Sequence, residues 1–405
     1  MTRELCNSIE LVVQALGTRQ MKTVLDARLL DLARVFLKLG LVSFGGPAAH
    51  IAMMEDEVVR RRHWLTREAF LDLLGATNLI PGPNSTEMAI HIGRQRAGWA
   101  GLVVAGSCFI LPAALITLSM AWAYVRFGSL PQATGFLYGV KPVMIAVVLH
   151  AVWRLGQSAL KTGRLTLIAL LAALANFLGA NELAVLLGAG VIAALSDRLA
   201  DNAREAPYAL GTIGVGTALM NGSGVTAAAL ATPVGLTPLF WFFCKVGAVL
   251  FGSGYVLLAF LRADLVDRWQ WLTEAQLLDA IAVGQITPGP VFSTATFIGY
   301  LLGGTPGAVV ATCGIFLPAF LFVALSGPLL PRLRRSPTAG AFLDGVIVAS
   351  LALMAVVTWQ LGRAAVVDMT TAVLALASAL LLLRFRLNSA WLVLAGGLVG
   401  LSTGH

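Results

Sequence analysis

The chain has 405 residues, 58% of them hydrophobic and only 12% charged, with a mean hydropathy of +0.83. Soluble domains carry about a quarter charged residues, so a water-solvated surface is excluded. The net charge of +8 reflects Lys and Arg kept in cytoplasmic loops, because no basic stripe with interleaved aromatics is present for nucleic acid.

Residues 1–30 carry Arg3, Glu4, Glu10, Arg19, Lys22, Asp26 and Arg28 and lack the basic start, apolar core and cleavage site of a signal peptide. They read as a cytoplasmic amphipathic leader. The stretches that follow, among them 102–124, 136–153 and 309–330, approach or exceed the roughly 20 apolar residues needed to cross a bilayer. They lack two-residue alternation, and a lone span must satisfy its own backbone, so they are helices and not barrel strands. The predicted fold class is an all-α, polytopic integral membrane protein.

From residue 31 the chain repeats itself. Phe36-Leu-Lys-Leu-Gly40 recurs as Phe243-Cys-Lys-Val-Gly247, and Phe44-Gly-Gly-Pro47 as Phe251-Gly-Ser-Gly254. Trp64-Leu-Thr66 recurs as Trp271-Leu-Thr273, Asp72 as Asp279, and Pro81-Gly-Pro83 as Pro288-Gly-Pro290, each 207 positions on. After one deletion the offset is 206, matching Ile92-Gly93 to Ile298-Gly299, Leu111-Pro-Ala113 to Leu317-Pro-Ala319 and Trp153 to Trp359. Residues 31–200 and 236–405 are therefore two repeats. The linker, 201–235, is expected to supply a membrane crossing at 208–230, interrupted by Asn221-Gly-Ser-Gly224.

Basic loops in one repeat face depleted loops in the other. Arg60–Arg62 with Arg67, Arg94 with Arg96, and Lys161 with Arg164 have poor counterparts, whereas Arg332, Arg334 and Arg335 match a loop holding only Arg126. Lys and Arg mark the cytoplasmic side, so the repeats are expected to be inverted, with re-entrant or broken helices at the Gly- and Pro-rich motifs.

Those motifs carry the chemistry. Each proline in Pro81-Gly82-Pro83-Asn84-Ser85-Thr86 and Pro288-Gly289-Pro290 removes a donor and disfavours helix before it. A helix restarting at the second proline exposes free N–H groups and a positive dipole end. Ser85, Thr86, Ser293 and Thr294 add donors without charge. Irregular backbone at membrane depth lines a cavity or is buried in protein, and paired breaks in two inverted halves point to a binding site. Against this stands a pair of proline kinks made for packing. Gly45, Gly46, Gly252, Ser253 and Gly254 would form the opposite wall, although small residues are also ordinary at helix contacts.

Charge and coupling candidates are Lys38, Lys245, Glu87, His91 and Arg94. The lysines are either functional or snorkelled to the interface. Glu87 carries a coupling proton or caps the restarting helix. Arg94 and Arg96 either meet the substrate or set topology, and Lys141 and Asp344 are secondary. Cys6, Cys108, Cys244 and Cys313 show no metal or redox spacing. No catalytic, metal or cofactor site is expected, and the sequence leaves a homodimer open.

With these motifs the sequence resembles the long-chain chromate ion transporter family over both halves, roughly 32–200 and 239–401. The resemblance implies chromate export from the bacterial cytoplasm across the inner membrane, with sulfate as an analogue. Outward movement of a dianion across an inside-negative potential releases about 4.6 kcal/mol per 100 mV, which favours export; uptake would need at least three protons. The rivals are an oxyanion importer, a cation/proton antiporter, which needs mid-membrane acids, and an intramembrane enzyme, for which no HExxH or Ser–His pairing is present.

Overall fold

A computed structural model describes residues 25–44, 46–128, 130–205, 235–250, 257–334, 336–385 and 389–403. The expected crossing at 208–230, most of the leader, and Gly45, Gly252, Ser253 and Gly254 lie outside these residues. The described residues are helical, with no strand among them.

The first repeat runs α1 (residues 25–42), α2 (Gly46–Glu55) closing in a π-helical turn at Asp56–Arg61, α3 (Arg67–Thr77), α4 (Asn84–Phe127), α5 (Pro131–Ala159), α6 (Gly163–Phe177) and α7 (Glu182–Glu205). The second runs α8 (Leu236–Val249), α9 (Leu257–Leu261) with its own π-helical turn at Arg262–Arg268, α10 (Glu274–Ile286), α11 (Thr294–Arg334), α12 (Pro337–Ala365), α13 (Met369–Phe385) and α14 (Ser389–Ser402). Starts and stops recur at the offsets read from the sequence. The Trp-Leu-Thr motif has a local cause: Thr66 Oγ1 accepts the Ala69 N–H, and Thr273 does the same for Gln276 in a full capping box.

The two longest helices are not continuous rods. Ala97 and Gly98 leave helical geometry inside α4, as Gly303 and Gly304 do inside α11 with nearly the same angles. Around each break the chain folds back on itself. A Cβ on Gly93 would strike the Gly101 carbonyl and one on Gly101 the Gly93 carbonyl, and Gly299 and Gly307 meet in the same way. Residues eight apart in a continuous helix are separated by about 12 Å, so α4 and α11 are antiparallel hairpins. In each, a short N-arm (84–96 in α4) precedes a long C-arm; the 29 residues of 99–127 rise about 43 Å. With α3, whose 11 residues rise only about 16 Å, the N-arm makes a re-entrant pair with Pro81-Gly82-Pro83 at its tip.

The repeats are inverted. Equivalent helices α5 and α12 run antiparallel: Tyr138 Oη donates to Asp368, Ile145 faces Gly362, Leu351 faces Gly156, and Lys161 pairs with Asp344 at 3.6 Å. The halves also interleave, α5 packing on α13 and α14 while α12 packs on α6 and α7. Glycines permit the closest approaches, as where Gly139 meets Gly396 and Gly400. Among the described residues four helices, α4, α5, α11 with its preceding turn, and α12, have the length and apolarity to cross a membrane. Leu170, Phe177, Trp153, Trp359 and Leu376 stand on the outer surface, each more than half exposed, a surface suited to lipid and not to water.

Candidate functional site

The two Pro-Gly-Pro tips sit at equivalent, reciprocally interlocked positions. Gly82 N–H donates to the Leu250 carbonyl at 2.6 Å, and Gly289 N–H donates to the Ser43 carbonyl at 2.9 Å. Ser43 and Leu250 are themselves equivalent, each just past the end of the first helix of its repeat. Each tip is thus held by the other half, at the point where that half breaks its own helix. Both glycines have positive φ, +141° and +88°, which other residues rarely adopt. Both are crowded as well: a Cβ on Gly289 would lie 3.0 Å from the Ala113 Cβ and 3.1 Å from the Gly40 carbonyl, and one on Gly82 would overlap the Glu87 carboxyl.

The restart differs from the expectation that the second proline would open the helix. Pro83 is extended and precedes α4, which begins at Asn84, while Pro290 is followed by a 3-10 turn, Val291–Ser293, before α11 begins. Proline at either position leaves the following N–H groups at the tip, so the local electrostatics survive the shift.

The tips are not chemically alike. At the second tip Thr117 on the α4 C-arm hydrogen-bonds Ser293 at 3.2 Å and Thr287 at 3.4 Å, all three buried. His50 Nε2 lies 3.1 Å from the same Ser43 carbonyl that receives Gly289. The equivalents of the hydroxyl trio at the first tip are Val323, Ile80 and Thr86, of which Ile80 and Val323 pack with Ala319 in an apolar cluster. Ser85 and Thr86 are buried there, and the Thr86 hydroxyl has no hydrogen-bond partner among the described residues; nor does the Ser43 hydroxyl at the second tip.

Glu87 is fully buried, and neither carboxyl oxygen has a partner among the described residues. The capping role expected as one alternative is therefore absent. Asn84 instead donates to the Asn78 side chain at 2.8 Å. Thr294, the equivalent of Glu87, spends its hydroxyl on the Val291 carbonyl at 2.8 Å and presses on Gly284, so it secures the helix start. His91 is buried one turn beyond Glu87. Gly46, also at positive φ, opens α2.

Several charged candidates are placed elsewhere. Lys38 pairs with Glu57 at 3.0 Å and Lys245 with Asp264, the same bond in both repeats, each between a half-exposed lysine and a buried carboxylate. These are snorkelled structural pairs. Burial pushes the Glu57 carboxyl up, but hydrogen bonds from Arg62 and Lys38 prevail and hold it below its ordinary value. Arg94 donates to the backbone carbonyls of Val323 and Ala324, tying the first hairpin to α11. Sequence reasoning missed Ser43, though it directly precedes the Phe44-Gly-Gly-Pro47 motif, and Thr117, and also the cluster in which part-buried Lys141 pairs with buried Asp279 at 3.1 Å while Tyr124 donates to the same carboxylate at 2.8 Å. The in-register identity of Asp72 and Asp279 was the available signal, yet Asp72 is exposed and the second-repeat equivalent of Lys141 is Ile347.

A family model described as Chromate transporter matches residues 30–194 and again 237–401. The chain is 35% identical to the chromate transport protein of Cupriavidus metallidurans, over 92% of each chain. It is 32% identical to the chromate transport protein of Pseudomonas aeruginosa, over 90% of each, and 30% identical to a probable chromate transport protein of Synechococcus elongatus, over 84% of this chain and 86% of that one. No solved structure matches.

Proposed function

Since the chain belongs to the chromate transporter family, we propose that it exports chromate from the cytoplasm across the bacterial inner membrane, holding the oxyanion between the two interlocked tips. The carrying observation is the tip geometry. Two helix starts bring their first-turn N–H groups and positive dipole ends to cross-repeat junctions, beside buried hydroxyls of Thr86 and Ser43 that the described protein leaves unsatisfied. Buried polar groups ordinarily have partners, and an oxyanion supplies acceptors to all of them. The candidate first wall is Pro81, Gly82, Pro83, Asn84, Ser85 and Thr86, and the second Pro288, Gly289, Pro290 and Ser293.

Glu87 has a defined part in this reading. A carboxylate and a dianion at close quarters in a low-dielectric site repel strongly, so the oxyanion binds together with a proton on Glu87 and the two move as a unit. The carried charge then falls from two to one, and outward movement still follows the potential. Uptake of a dianion with the potential would need three protons, whereas the tips offer one carboxyl among the described residues. A cation antiporter would want acids in both repeats, and the equivalent of Glu87 is Thr294.

The test is radiolabelled chromate flux in everted membrane vesicles with an imposed potential, with and without excess sulfate. Export predicts protein-dependent uptake that follows an interior-positive potential and falls with sulfate. Flux only in the opposite sense would replace export by import.

A further inference from the structure

A cavity of about 310 Å³ lies at the base of the first hairpin, lined by Arg28, Trp64, Leu65, Ile92, Gln95 and Arg96. It occupies the far end of the α4 N-arm whose beginning carries Thr86 and Glu87. From Asn84 to Arg96 that arm rises about 18 Å, so the cavity and the tip are two stations on one short helix.

The cations lining it differ from their neighbours. Arg61 pairs with Asp56, Arg62 with Asp31 and Glu57, and Arg67 with Glu55. Arg28 and Arg96 form no ion pair among the described residues. The Arg96 guanidinium lies 5.1 Å from the Trp64 ring centroid, and its Nε is buried without a hydrogen-bond partner. Stacking fixes the plane of the guanidinium and leaves its donors to a planar or tetrahedral acceptor. The inverted repeat supplies an internal control: the equivalent positions are Gly235, Trp271, Leu272, Ile298, Leu301 and Leu302. The tryptophan, leucine and isoleucine recur between halves, but both arginines and the glutamine are replaced by Gly235, Leu302 and Leu301, so the second repeat lacks these polar groups at the equivalent positions.

We infer that this cavity is a tetrahedral-oxyanion site, a station at which the dianion is collected on the arginine-rich face before it reaches the tips. The inference rests on the oxyanion-transport reading and adds a one-sided feature to it. Two cations without ion-pair partners among the described residues raise the local concentration of anion, and their absence from the equivalent positions of the other repeat makes loading easier from one face. A lipid phosphate presents the same chemistry, and the Arg–Trp lining would accept that too.

The experiment compares wild type with R28Q/R96Q and with R28K/R96K, measuring chromate half-saturation from each face in everted and right-side-out vesicles. Half-saturation on the arginine-rich face is expected to rise about tenfold in the glutamine variant, to recover at least in part in the lysine variant, and to stay unchanged from the opposite face. An unchanged value on the arginine-rich face, or an equal rise from both faces, overturns the site. Repeating the comparison in proteoliposomes of phosphatidylcholine, with and without phosphatidylglycerol, identifies the source. A difference that persists without the anionic lipid supports the soluble ion; one that needs it keeps the oxyanion site but replaces collection by lipid binding. Absence of wild-type flux from either face would instead remove the oxyanion-transport reading on which the site depends.

Discussion

At the first tip three neighbouring side chains, Ser85, Thr86 and Glu87, are almost wholly buried within one helical turn, and the Thr86 hydroxyl and Glu87 carboxyl are left without partners among the described residues. Thr86→Ala and Ser43→Ala are each expected to raise chromate half-saturation several-fold, because each removes a donor that the described protein itself does not satisfy. Thr294→Ala is expected to leave affinity near wild type, since its hydroxyl is already given to Val291. Measured side by side at matched expression, equal losses from Thr86 and Thr294 would sink the assignment. Gly289→Ala tests the tip itself: positive φ costs an alanine about 1–2 kcal/mol, and contact with Ala113 and Gly40 adds to it. Flux should fall at least tenfold while the protein still reaches the membrane. The hydroxyl-bearing motifs could be read from the sequence because both repeats carry them. Thr117 could not, because a group brought in by another helix leaves no local spacing.

At the scale of elements, the hairpins within α4 and α11 make a physical claim that length and hydropathy do not. Thr296 Oγ1 lies 2.8 Å from Thr312 Oγ1, whereas 16 residues of straight helix would separate them by about 24 Å. On a background without other cysteines, T296C/T312C should form a disulfide under mild oxidation, seen as a mobility shift reversed by reductant. Persistent free thiols after oxidation would favour the continuous helix. A second element-level prediction concerns the tether on α10. Asp279 is 5% exposed at its side chain and is held by Lys141, itself 21% exposed, and Tyr124 from the first repeat, so Asp279→Leu leaves a part-buried lysine unpaired and is expected to cost about 2 kcal/mol. Lys141→Leu together with Asp279→Leu should recover much of that. Thermal unfolding of the detergent-purified variants decides it, additive losses being the adverse result. The Pro-Gly-Pro breaks announced re-entrant helices in the sequence, since proline removes a donor wherever it stands. The fold-back at Ala97-Gly98 was legible too, since Arg94 and Arg96 mark a basic loop there; its counterpart at Gly303-Gly304 was harder to see, because in an apolar run two glycines look like any helix contact.

The whole molecule is a pseudo-two-fold object whose halves face opposite sides of the membrane. That arrangement makes the interlocked tips possible. In parallel repeats, equivalent re-entrant pairs would enter from one face and could not approach each other head to head, whereas inverted ones enter from opposite faces and can. Uneven lysine and arginine counts carried this information because loop charge reflects sidedness and owes little to packing. The interleaving of α5 with α13 and α14 left no such trace, since lipid-facing and protein-facing positions are both apolar here. Sidedness has a direct consequence at the equivalent sites Gly163 and Met369, the first residues of α6 and α13. Gly163 has open space around it and Met369 is 80% exposed, so a cysteine at either is expected to be reachable from water without disturbing packing. In intact cells, with other cysteines replaced, a membrane-impermeant thiol reagent should label M369C and spare G163C, and everted vesicles should reverse the result. Labelling of both from the same face would contradict the antiparallel relation of α5 and α12. It would also undercut the proposed site, because an anion held between two tips of opposite origin requires each half to open to its own side in turn.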